Sequence, residues 1–457
     1  MFEKLRAILS KIDADYADAR HELKKDTVIS FTGKELTEIG SNTTDGFVLR
    51  VLKNGGMASA VFTKESDADK AARKVVENAQ LIGRNSKEPV RLAKTEVVKD
   101  TFAPPLKEDP RKIPIQEKLE LVRKYNDIPL QHEKIATTSF IYQEIIREKH
   151  FVSSEGSEIR EDLVTTRLSG GIVSKDGSLT QNVRVGMGGS SGFSTIRNQE
   201  HYVEDRTRIV VDLLSAKPIR GGTHNCVFNP SMAGVFTHEA FGHFSEADLI
   251  ENLPTMREKM KLGSKLGNEV LNITDNATMP DQLGFYKYDD EGVKVRPTEL
   301  MKNGVLAGRM HSRRTAAAFG EPISGHCVAQ DFRFSPIIRM GTIFIHRGDL
   351  SLEELLSRLG NGYYILDAKG GQTSGENFTF GAQYGYRVEG GKVKEIVRDI
   401  NISGNLYETL KNIVALGNDF VLSKTGGCGK GAGSQTNVRS CYGGPHILVN
   451  NLVVGGA

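Results

Sequence analysis

The 457-residue sequence has no tryptophan, only four cysteines, no long apolar run and almost no net charge. The missing tryptophan excludes nothing about function. Four cysteines (Cys226, Cys327, Cys428, Cys441) in so long a chain make no disulfide framework, so they are read as thiols or metal ligands. No apolar stretch reaches the roughly 20 residues of a membrane-spanning helix. The N-terminus, Met1-Phe2-Glu3-Lys4-Leu5 followed by Ile8, Leu9 and Ile12, reads as an amphipathic helix of mixed charge and not as a signal peptide. A cytoplasmic location without membrane contact is the resulting expectation. Sixty basic and 57 acidic side chains, interspersed, leave a net charge of +3. No broad field gathers phosphate polymers, and direct nucleic-acid binding is disfavoured.

What is present is globular: 38% hydrophobic and 26% charged residues, at a length that predicts two or three packed units. The expected class is α+β, an N-terminal helix-plus-sheet region followed by a mainly antiparallel β domain. An α/β domain is expected over residues 1–103, a central helix-plus-sheet region over 112–220 and a β-rich C-terminal domain over 221–457. The cluster Pro104, Pro105, Pro110 and Pro114 marks the first boundary. Strands are predicted at 15–22, 27–32, 47–52 and 58–62, the last two joined by the hairpin signal Asn54-Gly55-Gly56. Ser66 is expected to cap a helix that Gly83 stops. A helix at 119–125 and strands at 135–142, 145–152, 163–173 and 179–185 follow, with later hairpins at Asn303-Gly304 and Gly390-Gly391.

Asn229-Pro230 supplies an N-cap and a first-turn proline for a helix running to about residue 250. It carries His238-Glu239-Ala240-Phe241-Gly242-His243. Zinc peptidases commonly use His-Glu-x-x-His, because residues four apart share a helix face. Here the histidines are five apart, and on a regular α-helix their rings would diverge by about 140°. Sharing one cation therefore predicts irregular helix geometry between Glu239 and His243, through a π-turn or a kink at Gly242. The chain's 11 histidines make a chance match about a one-in-seven event over its three His-Glu pairs. The spacing alone therefore leaves an ordinary amphipathic helix an equal reading, and a third ligand must decide.

The candidates for that ligand are the four thiols with Glu246 and Asp248. Cys428 stands out within Thr425-Gly426-Gly427-Cys428-Gly429-Lys430-Gly431, where flexible backbone can bring a thiolate to a distant helix and Lys430 can keep it deprotonated. Cys226, Cys327 and Cys441 read as packing groups, and Glu246 and Asp248 as solvated or capping carboxylates, either of which is placed to orient an imidazole as a hydrogen-bond acceptor. Two imidazoles and a thiolate suit zinc, or iron, better than magnesium or calcium, and leave a position for water. Glu239 is then the general base that activates this water. Gly188-Gly189-Ser190-Ser191-Gly192 matches a serine-hydrolase pattern, but no helical start follows the serine, so a glycine loop is the better reading.

The run His238-Glu239-Ala240-Phe241-Gly242-His243-Phe244-Ser245-Glu246-Ala247-Asp248, with Gly426-Gly427-Cys428-Gly429-Lys430, resembles the TldD/PmbA family in its catalytic form. Asp289-Asp290-Glu291-Gly292, Pro336-Ile337-Ile338-Arg339-Met340, Gly370-Gly371-Gln372 and the ending from Asn451 follow in family order. The resemblance implies His238, His243 and Cys428 as metal ligands, with Cys441 the alternative thiol, and Glu239 as catalytic carboxylate. It also implies a metalloprotease of unfolded or extended peptides that pairs with a PmbA/TldE-like subunit or itself. An older family label is modulation of DNA gyrase. The contrasting reading is a non-catalytic binding or scaffolding subunit of the same family.

Overall fold

In the computed structural model, which describes residues 1–430, 435–437 and 439–456, the first part of the chain builds one seven-stranded sheet. Its strands are β1 (Tyr16–Thr32), β2 (Glu35–Lys53), β3 (Gly56–Phe62), β4 (Lys99–Phe102), β5 (Ile135–Ser153), β6 (Glu158–Asp176) and β7 (Leu179–Gly189). Their order is β3-β2-β1-β5-β6-β4, with β7 also on β6. Every pairing is antiparallel except β4 with β6. Because β1 pairs with β5, the segments on either side of the proline cluster share this sheet.

β1 and β5 each replace two predicted strands. Polar residues interrupt the apolar alternation, yet the backbone ladder continues through them and their charges are paired inside. Glu22 meets Arg147 at 2.6 Å, and Glu144 meets Lys118. Helices α1 (Phe2–Leu9) and α2 (Ala68–Asn85) close one core around Leu5, Leu49, Val75 and Ala79. Helices α3 (Ile115–Leu130) and α4 (Glu200–Asp212) close a second around Tyr125, Phe140, Leu168 and Val203. The expected Ser66 cap is not made: Ser66 lies inside a 3-10 turn, Glu65–Asp67, that leads into α2. Nor does Gly83 stop that helix. It is glycine because a Cβ would lie 2.4 Å from the Asn54 carbonyl of the hairpin packed on it.

The C-terminal part is β-rich. An eight-stranded sheet runs from Gly362–Ser374 through Gly222–Phe228, Ile447–Gly456, Ile400–Asn405, Asn377–Glu389 and Lys392–Arg398 to Lys217–Pro218, with Ile413–Leu416 also on Ile447–Gly456 and Gly362–Ser374 also paired with Asn377–Glu389. A six-stranded sheet includes Ile273–Asp275, Thr342–Ile345, Cys441–Gly444 and Val421–Leu422. The helix α5 (Pro230–Phe236) contributes Met232, Ala233, Val235 and Phe236 to the core that unites them. Asn229 caps it by accepting from Met232 N at 2.9 Å. At Gly234 a Cβ would lie 2.8 Å from the backbone of Gly443, so helix and strand meet at backbone distance. The hairpins at Asn54-Gly55, Asn303-Gly304 and Gly390-Gly391 all have positive φ at both positions, as two-residue turns between twisted strands require.

The two parts are tied by buried ions. Asp290 Oδ1 lies 3.2 Å from Arg20, 3.3 Å from Arg147 and 3.2 Å from Lys149, which stand on β1 and β5. Glu22 and Glu161, at 2.6 Å from Arg147 and 3.1 Å from Lys149, complete a buried set of three cations and three carboxylates.

Candidate metal centre

After Phe236 the helix changes its winding. A π-helix covers Thr237–Gly242 and a 3-10 turn covers His243–Ser245. Bonding from i to i+5 brings residues five apart onto one side, and the ring centroids of His238 and His243 are 5.1 Å apart. The irregularity that the spacing demands is therefore present. Gly242 itself keeps ordinary helical angles, φ −59° and ψ −47°. Its role is clearance, since a Cβ there would lie 2.2 Å from Met340 Sδ and 2.9 Å from Ile343 Cδ1.

The fold brings His238, His243 and Cys428 together, with one potential ligand atom from each within 4.8 Å of the others. Cys428 Sγ is 3.4 Å from His243 Nε2. His238 is 2% exposed, and neither ring nitrogen has a hydrogen-bond partner. Buried polar atoms are nearly always satisfied, so these unpartnered nitrogens fit a metal-binding imidazole better than a packed core histidine. Burial, reinforced by the neighbouring His243, pushes His238 down to about 3, which leaves a neutral ring with a free lone pair.

His243 is held differently. Its Nδ1 lies 2.9 Å from Glu246 Oε2, which turns Nε2 toward Cys428. Burial opposes charge on this ring, but the Glu246 carboxylate and the Cys428 thiol outweigh it and lift His243 to about 10. Glu246 is fully buried; burial would raise its carboxyl, yet Lys430 and His243 bring it down to about 2. Glu246 is thus neither solvated nor capping, while Asp248 is 20% exposed and pairs with Lys430. Lys430 departs from expectation as well. Its three ammonium hydrogens have three oxygen partners, Glu246 at 2.8 Å, Asp248 at 2.7 Å and the Ile338 carbonyl at 2.9 Å. It organises the carboxylate behind His243.

Cys428 begins the short strand Cys428–Lys430, paired with Gln435–Asn437; Gly431 of the predicted loop lies outside the described residues. The buried Arg339 donates to the Cys428 carbonyl and, at 3.1 Å, to the Gln435 carbonyl, fastening both strands. Sequence reasoning missed this clamp; the only signal was Arg339's place in the Pro336 to Met340 motif. The alternative thiol, Cys441, is buried, donates to Ser423 O at 3.0 Å and is pushed by burial up to about 12. It is not part of the cluster. Cys226 and Cys327 are buried packing groups. Ser190 and Ser191 are buried too, and the latter donates to Asp281.

Glu239 Oε2 lies 3.8 Å from His243 Nε2, and Thr373 donates to the Glu239 carbonyl at 3.1 Å. Burial raises the Glu239 carboxyl above its ordinary value, with His243 pulling the other way. Glu239 and His238 open on a cleft of about 750 Å³ walled by β6, β7, α4, the strand Gly362–Ser374 and residues 421–427.

Three family models match consecutive stretches of the chain: PmbA/TldA metallopeptidase domain 1 over residues 17–79, the central domain over 108–217 and the C-terminal domain over 221–456. The chain belongs to the PmbA/TldD family. A metalloprotease of Synechocystis is 34% identical over 445 residues, 97% of this chain and 95% of that protein. A zinc metalloprotease TldD homolog of Saccharolobus solfataricus is 37% identical over 329 residues, 71% and 72% of the two chains. Among solved structures, TldE of Thermococcus kodakarensis matches with a TM-score of 0.77 at 20% identity over the full length of both chains. A Thermotoga maritima protein described as a candidate modulator of a DNA gyrase matches at 0.80 with 20% identity, also over both full lengths. These PmbA/TldD likenesses carry the mixed α+β fold with its β-rich C-terminal part. No helix among the described residues is long and apolar enough to cross a membrane.

Proposed function

We propose that this chain is a metal-dependent peptidase of unfolded or extended peptides, with His238, His243 and Cys428 as the metal-binding set and Glu239 as general base. One observation carries the reading: a buried imidazole with two unpartnered nitrogens converges with a second imidazole and a thiol beside a carboxylate in an open cleft. The donor set suits zinc first and iron second. Bound there, such a cation would supply Lewis-acid polarisation of a peptide carbonyl and acidify the attacking water.

The remaining work falls to the chain. Glu239, its proton affinity raised by burial, takes a proton from the water at a carboxylate oxygen and returns it to the departing amine. Glu246 fixes the ring of His243, Lys430 fixes Glu246, and Arg339 fixes Cys428 through its carbonyl. The strand Gly362–Ser374 pairs with Gly222–Phe228 only through Tyr363, Tyr364 and Ile365. Beyond Ile365 no further strand covers that edge among the described residues, and Asp367, Ala368, Gly370 and Gly371 line the cleft. An extended peptide adding here would be held by its main chain, which favours broad sequence tolerance. The metalloprotease names of the relatives support the activity, and the TldE likeness supports a TldE-like or identical partner. A cytoplasmic site of action is part of the same proposal.

Metal analysis tests the reading. Protein prepared with metal and under reducing conditions should hold close to one zinc or iron per chain, and His243→Ala should lose most of it. A parent protein that takes up no transition metal under those conditions ends the proposal.

Metal uptake should also move protons. In the metal-free chain His243 keeps its proton up to about pH 10, and a cation must displace it. Calorimetry at pH 7 in two buffers of different ionisation enthalpy should show release of at least one proton. Apparent affinity should rise about tenfold per pH unit for each proton released. A pH-independent affinity would contradict His243 as a ligand.

A further inference from the structure

Cationic groups outnumber anionic ones in the cleft beside the candidate metal centre. Arg167, Arg184, Arg206 and Lys424 line it with only two carboxylates, Asp367 and Glu239. Asp367 already holds Arg206 at 2.5 Å, and Glu239 is the proposed base. Arg206 Nη1 is nevertheless buried without a partner. Among the described residues, neither Arg167 nor Arg184 has a carboxylate within ion-pairing distance; Arg167 Nε donates to the neutral side chain of Gln143 at 2.7 Å.

Strand register explains the arrangement. Residues directly opposite each other in an antiparallel pair share a face. On β6 and β7 these pairs are Arg167 with Gly188, Ser169 with Gly186, and Gly171 with Arg184. The floor between the two arginines thus carries no side chain larger than serine. At Gly186 a Cβ would lie 1.9 Å from the Thr425 side chain, so the residue must be glycine for the 421–427 wall to close down on the sheet. Across the cleft, a Cβ on Gly370 would lie 3.7 Å from the Arg184 guanidinium, which places that charge beside the strand Gly362–Ser374. Arg167 is half-buried without a counter-charge, which costs free energy that a ligand carboxylate recovers, whereas Arg184 is exposed at the rim and adds its charge from there. Guanidinium suits this task because its planar fork binds both carboxylate oxygens.

We propose that the arginine trough formed by Arg167 and Arg184 takes a carboxylate of the bound peptide, so that peptides with an acidic side chain or a free C-terminal carboxylate are preferred. The proposal rests on the peptidase reading for the identity of its ligand. The probe is one unstructured decapeptide of Gly, Ser, Ala and Gln with a neutral N-terminal fluorophore. It is made in four versions: internal Gln or Glu, and C-terminal acid or amide. Binding is read by anisotropy on full-length Glu239→Gln protein at low salt, and cleavage on the parent protein by mass spectrometry.

A carboxylate should tighten binding about tenfold over the wholly neutral peptide. A gain from the free acid alone identifies the terminal carboxylate, and a gain from Glu alone identifies the side chain. Adding Arg167→Gln and Arg184→Gln together should bring the ratio close to one, whereas Arg184→Lys should keep part of it. Equal binding of all four peptides overturns the proposal without any arginine variant. Cleavage without acid preference sinks the trough and leaves the peptidase; acid preference without cleavage does the reverse.

Discussion

Replacing Glu239 by glutamine should lower peptide cleavage by about 10² to 10⁴-fold, the usual share of a positioned acid-base group. Metal content should not change, because Glu239 is outside the convergent His238, His243 and Cys428 set. Glutamine keeps the size and the polar surface of the side chain and removes only the proton acceptor. The backbone contact from Thr373 to the residue 239 carbonyl is also retained, so the π-helical segment has no reason to move. Single-turnover cleavage and metal analysis on one preparation separate the two quantities. A variant that cleaves at the parent rate assigns the base to another residue, and one that loses its metal makes Glu239 part of the metal-binding set.

Asp290→Asn should be the most destabilising single change outside the centre, at about 3–5 kcal/mol. Burial alone would raise the Asp290 carboxyl, but Arg147, Arg20 and Lys149 hold it well below the ordinary carboxylate range. Removing its charge leaves three buried cations facing the two carboxylates of Glu22 and Glu161. Denaturant unfolding of parent and variant measures the loss. The sign with pH follows from the depressed value. Asp290's contribution is fully present above the unfolded carboxyl value of about 3.9 and is lost as the pH falls below it. The difference between parent and variant should therefore narrow in acid. A variant as stable as the parent at neutral pH would show that the buried ions do not join the two parts energetically.

The sequence is most readable where chemistry is local. Two histidines five apart force a departure from α-geometry if they are to meet, and the π-helix over Thr237–Gly242 provides it. Asn-Gly and Gly-Gly pairs announce their hairpins because few residues accept positive φ at both turn positions. Glycines around Cys428 flag a segment that approaches a distant helix, although residues 428–430 are a short strand and not a loop. Long-range pairing is unreadable by the same means. Glu246 looks like a surface acid until Lys430, 184 positions further along, is folded against it. Asp289-Asp290-Glu291-Gly292 has the composition of an exposed turn, yet Asp290 is an anchor for cations on β1 and β5. The continuity of β1 and β5 escapes for a related reason, because a buried charge looks like a strand end until its partner is known.

Chain order adds a timing consequence. Cys428 comes 185 residues after His243, and both the Arg339 clamp and Lys430 depend on that late segment. Domains settle as they leave the ribosome, earlier parts first. Until synthesis has passed residue 430, a growing polypeptide has the two imidazoles of the cluster but not its thiol, and Glu246 has not yet met its lysine. On the peptidase reading proposed above, a half-made copy lacks one of its three metal-binding side chains.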